Sequence, residues 1–190
     1  MEKIYIEDKH FQNVDFTKTE LSGGEYENCT FINCNFSNLN LSKFNFSECT
    51  FSGCNMSLAE LTKTGFQDIK FKDCKLLGLR FDNCSEFRFT VDFDNCILNL
   101  SSFYKRKLKK TNFKNSSLQD VDFTETDLTG SIFDNCDLTR ATFENTILEK
   151  ADFRTSFNYS LNPERNKIKK AKFSTSGIVG LLDKYDIEIE

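Results

Sequence analysis

Residues 121–155 read VDFTE TDLTG SIFDN CDLTR ATFEN TILEK ADFRT, seven units of five residues that align without a gap. The centre of each unit is Phe or Leu, and the residue two places earlier is small, β-branched or Cys. The remaining positions are mostly polar. Neither an amphipathic helix nor an alternating strand has a strict period of five, so this stretch predicts a repeat architecture.

The same spacing extends over most of the chain. A large apolar residue occupies every fifth position from Phe11 to Phe81, and again from Phe93 to Phe153. Phe accounts for 21 of the 190 residues, whereas Trp is absent and Pro occurs once. Two inward positions and three outward ones per unit describe one short face of a coil.

A longer period of twenty sets the number of faces in each turn. Phe11, Phe31, Phe51 and Phe71 are twenty residues apart, and Leu108, Leu128 and Leu148 repeat in the same way. Like residues at this spacing predict four faces per coil, with identical side chains stacked in rows. With coils about 4.8 Å apart, the prediction is an all-β, quadrilateral parallel β-helix of about eight coils, ending in a short C-terminal helix.

The units Val-Asp-Phe-Thr-Glu (121–125), Cys-Asp-Leu-Thr-Arg (136–140) and Ala-Asp-Phe-Arg-Thr (151–155) resemble the consensus of the pentapeptide repeat proteins. The resemblance covers nearly the whole chain. It implies a right-handed quadrilateral β-helix, which agrees with the four faces counted from the spacing.

One domain over residues 1–190 is expected, with an N-terminal cap at 1–9, coils at 10–175 and a C-terminal tail at 176–190. Irregular coil is expected at 84–92 and 157–166. Phe93 lies twelve positions after Phe81, two more than two units, so 85–90 carry a two-residue insertion. It is either a bulge at a corner or a shape presented to a partner.

Arg106 occupies a position where the pattern requires a small inward residue. A buried, unpaired guanidinium is costly, so the face is predicted to open and expose Arg106. The neighbouring lysines share a face with Lys167, Lys169 and Lys170, but Asp127 and Glu149 lie between. This is interpreted as a mixed, solvated face, with a patch for an anionic partner as the alternative.

The tail predicts a short helix containing Leu181 and Leu182, followed by a strand with Ile187 and Ile189. It either caps the open end of the solenoid or forms a dimer interface. In layout it is similar to the tail of the quinolone-resistance (Qnr and MfpA-type) members, and this resemblance implies an end-to-end homodimer. The residues assigned to that interface are Leu181, Leu182, Tyr185, Ile187 and Ile189.

No residue pattern indicates a catalytic, cofactor or metal site. All eight Cys fall at inward positions and are interpreted as buried, reduced thiols, because they lack the paired spacing of zinc ligands. His10 is the sole His. The net charge is −4, with 13 acidic and 10 basic residues up to Thr90 and 16 and 15 after it. This balance predicts no direct nucleic-acid binding, and the lack of long apolar segments predicts a cytoplasmic protein without a membrane span.

Two functions remain from the sequence. The first is a non-enzymatic, rod-shaped binding or scaffolding module with an unidentified partner. The alternative follows from the Qnr-like resemblance, which implies a protein that resembles duplex DNA and protects a type II topoisomerase such as gyrase.

Overall fold

The structure is a computed structural model that describes residues 4–42 and 44–188. Eleven short strands are present in the described residues: β1 (Ile4–Glu7), β2 (His10–Gln12), β3 (Gly24–Glu27), β4 (Thr30–Ile32), β5 (Asn45–Ser47), β6 (Thr50–Ser52), β7 (Gly65–Gln67), β8 (Ile69–Lys72), β9 (Val91–Asp94), β10 (Asn112–Lys114) and β11 (Ile132–Asp134). Most have three residues, because a unit of five leaves two for the corner. The one α-helix among the described residues is α1 (Val179–Leu182), flanked by 3₁₀ turns at Ser176–Ile178 and Asp183–Tyr185.

The strands form parallel walls along the axis. The first wall is the sheet β1-β3-β5-β7, which isolated bridges continue from Lys107 to Lys167. The second wall is the seven-stranded sheet from β2 to β11. Bridges from Asp15 to Phe157 form the third wall, and bridges from Asn40 to Glu60 and from Arg80 to Thr142 form the fourth.

Pairing partners are twenty residues apart, as in Phe11↔Phe31 and Phe113↔Phe133. The predicted quadrilateral parallel β-helix and its short C-terminal helix are therefore confirmed. The coil count differs slightly from the predicted eight. Named strands of the second wall join about six turns, and only isolated bridges carry that wall on to Asp152 and Lys172.

Rows of aromatic rings fill the interior of the coil. Phe113 stacks on Phe133 with ring centroids 4.8 Å apart and planes at 1°, and Phe133 stacks on Phe153 at 4.6 Å. Phe123, in the next row, meets Phe133 edge-on at 5.9 Å. All four side chains are buried. The coils are thus tied together by offset stacking along each row and by edge-to-face contacts between rows.

The corners explain why the outward positions are rich in polar residues. The residue two places after each centre commonly has a positive φ, as at Asn115 (φ 49°), Asp120 (φ 56°) and Asn135 (φ 52°). Asn and Asp tolerate this left-handed conformation because their short side chains form local hydrogen bonds. The sharp change of direction at each corner is what closes the square.

Several small inward residues share one hydrogen-bonding pattern. The thiols of Cys54 and Cys74 lie 3.3 Å from the carbonyl oxygens of Phe31 and Phe51, 23 residues earlier. The hydroxyl of Thr126 donates to the carbonyl of Phe103 across the same separation, at 2.8 Å. Cys, Ser and Thr therefore fit this position, because each satisfies its donor on the preceding coil.

Candidate interaction surfaces

The two-residue insertion changes the first wall. The spacing between paired residues increases from twenty to twenty-two positions between β8 and β9, where Phe71 pairs with Phe93. At the two ends of the loop, the Ser85 and Thr90 amides donate to the carbonyls of Thr64 and Phe66, at 2.9 and 3.0 Å. The residues between them leave the wall, so the ladder that continues from β7 is interrupted at its centre.

The insertion points one aromatic ring outward and the other inward. Phe87 is 73% exposed, and the Arg88 guanidinium carbon lies 5.2 Å from its ring centroid. Phe89 turns inward, with its ring centroid 6.4 Å from those of Phe66 and Phe81. Phe89 thus fills the place of the missing central residue, while Phe87 projects from the wall.

The prediction that Arg106 reaches the surface is wrong. The residue is only 5% exposed, and its Nη2 donates to the carbonyl oxygens of Asp82, at 2.5 Å, and Cys84. Its guanidinium carbon lies 5.3 Å from the Phe89 ring centroid. The distorted coil before it supplies two carbonyls and an aromatic face, which partly offset the cost of burying the charge.

The burial of Arg106 is still incompletely compensated. Its Nη1 has no hydrogen-bond partner within the described part of the chain. Beside it, burial raises the pKa of the Cys84 thiol to about 12, although the positive charge of Arg106 acts in the opposite direction. The neutral thiol is therefore the form that packs here.

The C-terminal tail folds back over the last coil. The Leu161 amide donates to the Gly180 carbonyl at 2.9 Å. A Cβ at Gly177 would lie 2.0 Å from the Tyr159 hydroxyl oxygen, and one at Gly180 would lie 2.0 Å from the Tyr159 carbonyl oxygen, so glycine at both positions lets the tail lie directly on Tyr159. Lys184 forms an ion pair of 2.7 Å with Glu164.

The residues assigned to a dimer interface have different environments. Leu181 packs against the core and Leu182 is half-buried. Tyr185 is 52% exposed, with its hydroxyl 3.1 Å from a Glu164 carboxylate oxygen, and Ile187 is 55% exposed. The predicted final strand does not form over residues 186–188, and Ile189 lies outside the described residues. Sequence reasoning missed Ile178 and Val179, which are also exposed at this end.

Titratable groups do not assemble into a metal centre in the described residues, where no cluster of three His, Cys, Asp or Glu side chains is found. His10 is exposed on β2. All eight Cys are free and buried. Burial raises the pKa values of Cys49 and Cys136 to about 12, and such thiols are poor nucleophiles near neutral pH. Among the described residues, no helix is both long and apolar enough for a membrane span.

Comparison with known proteins identifies the repeat. Residues 24–89 and 80–153 match the sequence model of the pentapeptide repeat region, and together these matches cover more than half of the chain. The chain belongs to the pentapeptide repeat family. A comparison of this pentapeptide repeat protein with curated protein sequences gave no significant match.

Solved structures with the same fold include two from proteins of stated biology. A trypsin-treated form of QnrB1, a plasmid-mediated fluoroquinolone resistance protein, aligns over 97% of this chain and 99% of its own, with a TM-score of 0.59 and 18% identity. HetL, involved in heterocyst differentiation regulation in Nostoc sp. strain PCC 7120, aligns over 89% and 86%, with a TM-score of 0.56 and 13% identity. At these identities the likeness concerns the fold alone.

Proposed function

We propose that this pentapeptide repeat protein is a non-enzymatic binding or scaffolding module that works through the surface of its rod. The observation that carries the proposal is the filled interior: central positions from Phe31 to Phe153 are buried and stacked, so functional groups are left for the outer walls. Rigid repeat surfaces of this kind are suited to binding. The buried free thiols support a reducing, cytoplasmic setting.

The C-terminal tail is proposed as the site of end-to-end dimerisation. Its helix and turns leave Ile178, Val179, Tyr185 and Ile187 exposed within one short stretch of chain, and exposed apolar side chains at a solenoid end favour association. Leu181 and Leu182 hold the tail in place, and Ile189 completes the proposed interface.

The dimer is tested by light scattering on the double variant Val179→Asp/Ile187→Asp, in about 0.5 M salt so that contacts between exposed charges are screened. Both side chains are about half exposed, at 47% and 55%, so the fold should persist while the mass falls from dimer to monomer. Leu58→Asp, at a comparably exposed leucine (59%) far from the tail, is the matched control and should leave the mass unchanged. A wild-type monomer at about micromolar to millimolar concentrations, the usual range of weak interfaces, would remove the proposal.

Modulation of a type II topoisomerase is the second candidate function. It is favoured by the fold shared with QnrB1 over nearly the full length of both chains, by the proposed end-to-end pairing and by a net charge of −4. The test is a gyrase supercoiling assay with and without a fluoroquinolone. Restored supercoiling in the presence of the drug would support modulation of the topoisomerase. No effect at a large molar excess of protein would rule it out and leave only the scaffold function.

A further inference from the structure

The first wall carries opposite charges on its two halves. Its outer surface consists of eight stacked segments, four before the insertion (4–8, 24–28, 44–48 and 64–68) and four after it (106–110, 126–130, 146–150 and 166–170). Strand pairing from Ile4 to Gln67 and bridges from Lys107 to Lys167 fix the stacking. The first four segments contain six acidic residues and no basic one, namely Glu7, Asp8, Glu25, Glu27, Glu48 and Asp68.

The second half has the opposite sign. It contains seven exposed lysines, namely Lys107, Lys109, Lys110, Lys150, Lys167, Lys169 and Lys170, against two carboxylates, Asp127 and Glu149. Within the described residues, only Lys109 of these seven is in an ion pair, with Asp127 at 3.2 Å. This segregation is invisible in the charge balance along the chain, because the other three walls compensate for it.

The insertion lies at the midpoint of this charge pattern. The four segments before it carry only acidic charges. Of the four after it, 106–110 and 166–170 are strongly basic, 146–150 is neutral overall and 126–130 carries only Asp127. Phe87 projects from the wall between the two halves. A rotation of 180° about an axis that passes beside this loop, parallel to the wall and perpendicular to the rod, brings two copies of the wall face to face. It places the acidic segments 4–8 and 64–68 opposite the lysine-rich segments 166–170 and 106–110. The wall is therefore complementary to a second copy of itself in the antiparallel direction.

We infer that the first wall binds a second copy of this chain side by side, in a twofold antiparallel pair whose axis passes near Phe87. Glu7 and Asp8 then face the segment 166–170 of the other copy, and Asp68 faces the segment 106–110. Isologous contacts of this kind are the commonest form of homo-oligomer. The exposed Phe87 rings of the two copies meet at the axis and supply an apolar centre.

The size of the wall suits a weak, specific contact. Nine levels at about 4.8 Å give a length of roughly 38 Å. With a width of one face, the pair buries on the order of 1,000 Å² in total, which falls in the range of transient interfaces. A dissociation constant in the micromolar range, about 1–100 μM, is expected.

A polyanion fits this wall less well than a second copy does. A long polyanion lying along the wall would pass over the six carboxylates of the first half, and Asp127 and Glu149 interrupt the lysines of the second half. The antiparallel copy places lysine-rich segments opposite 4–8 and 64–68, and a segment of no net charge opposite 24–28. Like charges meet only between Glu48 and Asp127. Charge complementarity therefore favours self-association.

The test is charge reversal and its repair. Variant one carries Lys167→Glu, Lys169→Glu and Lys170→Glu, and variant two carries Glu7→Lys and Asp8→Lys, which face those lysines in the pair; all five positions are exposed. Each variant alone should associate at least about tenfold more weakly than the parent, and an equimolar mixture should form the heterodimer with restored affinity. Analytical ultracentrifugation in the Val179→Asp/Ile187→Asp background keeps this contact separate from the tail interface.

The matched control is Lys70→Glu/Lys72→Glu/Lys114→Glu, which makes the same charge change at exposed positions of the second wall and should leave association unchanged. Raising the salt from about 0.05 to about 0.5 M should dissociate the parent pair, because the pairing is between exposed charges. A monomeric parent at low salt overturns the proposal. So does association that the reversed variants retain, or binding of heparin through Lys167, Lys169 and Lys170 without any self-association.

Discussion

Truncating one ring in the middle of an aromatic row tests what holds the coils together. Phe133 is fully buried and contacts three other rings. Phe113 and Phe153 stack on its two faces at 4.8 and 4.6 Å, and Phe123 meets it edge-on at 5.9 Å. Phe133→Ala removes all three contacts and leaves a cavity bounded by close-packed coils above and below.

The expected loss of stability can be worked from these contacts. Burial of the ring contributes roughly 1.5–3 kcal/mol, and each aromatic pair adds about 0.5–1.5 kcal/mol. Coils joined by backbone hydrogen bonds cannot collapse into the gap, so the free energy of unfolding should fall by about 3–5 kcal/mol. That is a large share of the roughly 5–15 kcal/mol that stabilises an ordinary domain.

Urea unfolding followed by circular dichroism measures the change. Phe157→Ala is the matched control, because Phe157 is 45% exposed and should lose no more than about 1 kcal/mol. Phe113→Ala combined with Phe133→Ala should show a coupling energy of about 0.5–1.5 kcal/mol, whereas Phe51→Ala, four coils away, should combine additively with Phe133→Ala. A loss below about 1 kcal/mol for Phe133→Ala would refute the stacked row as the main source of cohesion.

Two further predictions concern buried polar groups. Because burial raises the pKa of Cys49, Cys84 and Cys136 to about 12 from 9.0, their stabilising contribution is complete below pH 9 and is lost as the pH rises towards 12. In that window each thiol should lower the free energy of unfolding by about 1.4 kcal/mol per pH unit. Cys136→Ser, which matches Ser116 one coil earlier in the row, should remove one thiol's share of this pH dependence. A free energy of unfolding that stays constant up to pH 11 would contradict the prediction. Arg106→Thr, which copies Thr126 of the same row, should release the 85–90 loop from the coil, lower the free energy of unfolding by about 1–3 kcal/mol and speed tryptic cleavage after Arg88. Lys107→Thr is the control and should not speed cleavage. Equal cleavage rates for the two variants would argue against Arg106 as the residue that holds the loop in place.

Much of the fold could be predicted because the spacing of the repeat follows directly from the geometry of the coil. The spacing of five locates the inward residues, and the spacing of twenty locates rows such as Phe113 and Phe133, which the structure shows in register. Irregular coils break that logic. The rule that inward positions are small predicts an exposed Arg106, but the insertion frees the carbonyls of Asp82 and Cys84 to receive its guanidinium inside the coil.

The surfaces were harder to predict than the core. The charges of the first wall are spread through the sequence in segments twenty residues apart, so they add up to two opposite halves only after the chain is wound. The exposure of Ile178 and Val179 likewise depends on how Gly177 and Gly180 seat the tail on Tyr159. The rows of buried side chains follow directly from the strict period of the sequence. The outer surfaces also depend on how the irregular coils shift one wall relative to the next.

Four faces per coil is the claim on which every surface above depends, and chemical cross-linking between adjacent coils tests it most directly. Ser117 and Asp137 are bridge partners on neighbouring coils, so Ser117→Cys/Asp137→Cys should be joined within the monomer by a short bifunctional thiol reagent, while the buried native thiols stay unmodified. Ser117→Cys/Ile132→Cys, separated by fifteen residues instead of twenty, lies on different walls and should not react. Cross-linking of the fifteen-residue pair, with none of the twenty-residue pair, would contradict the square coil.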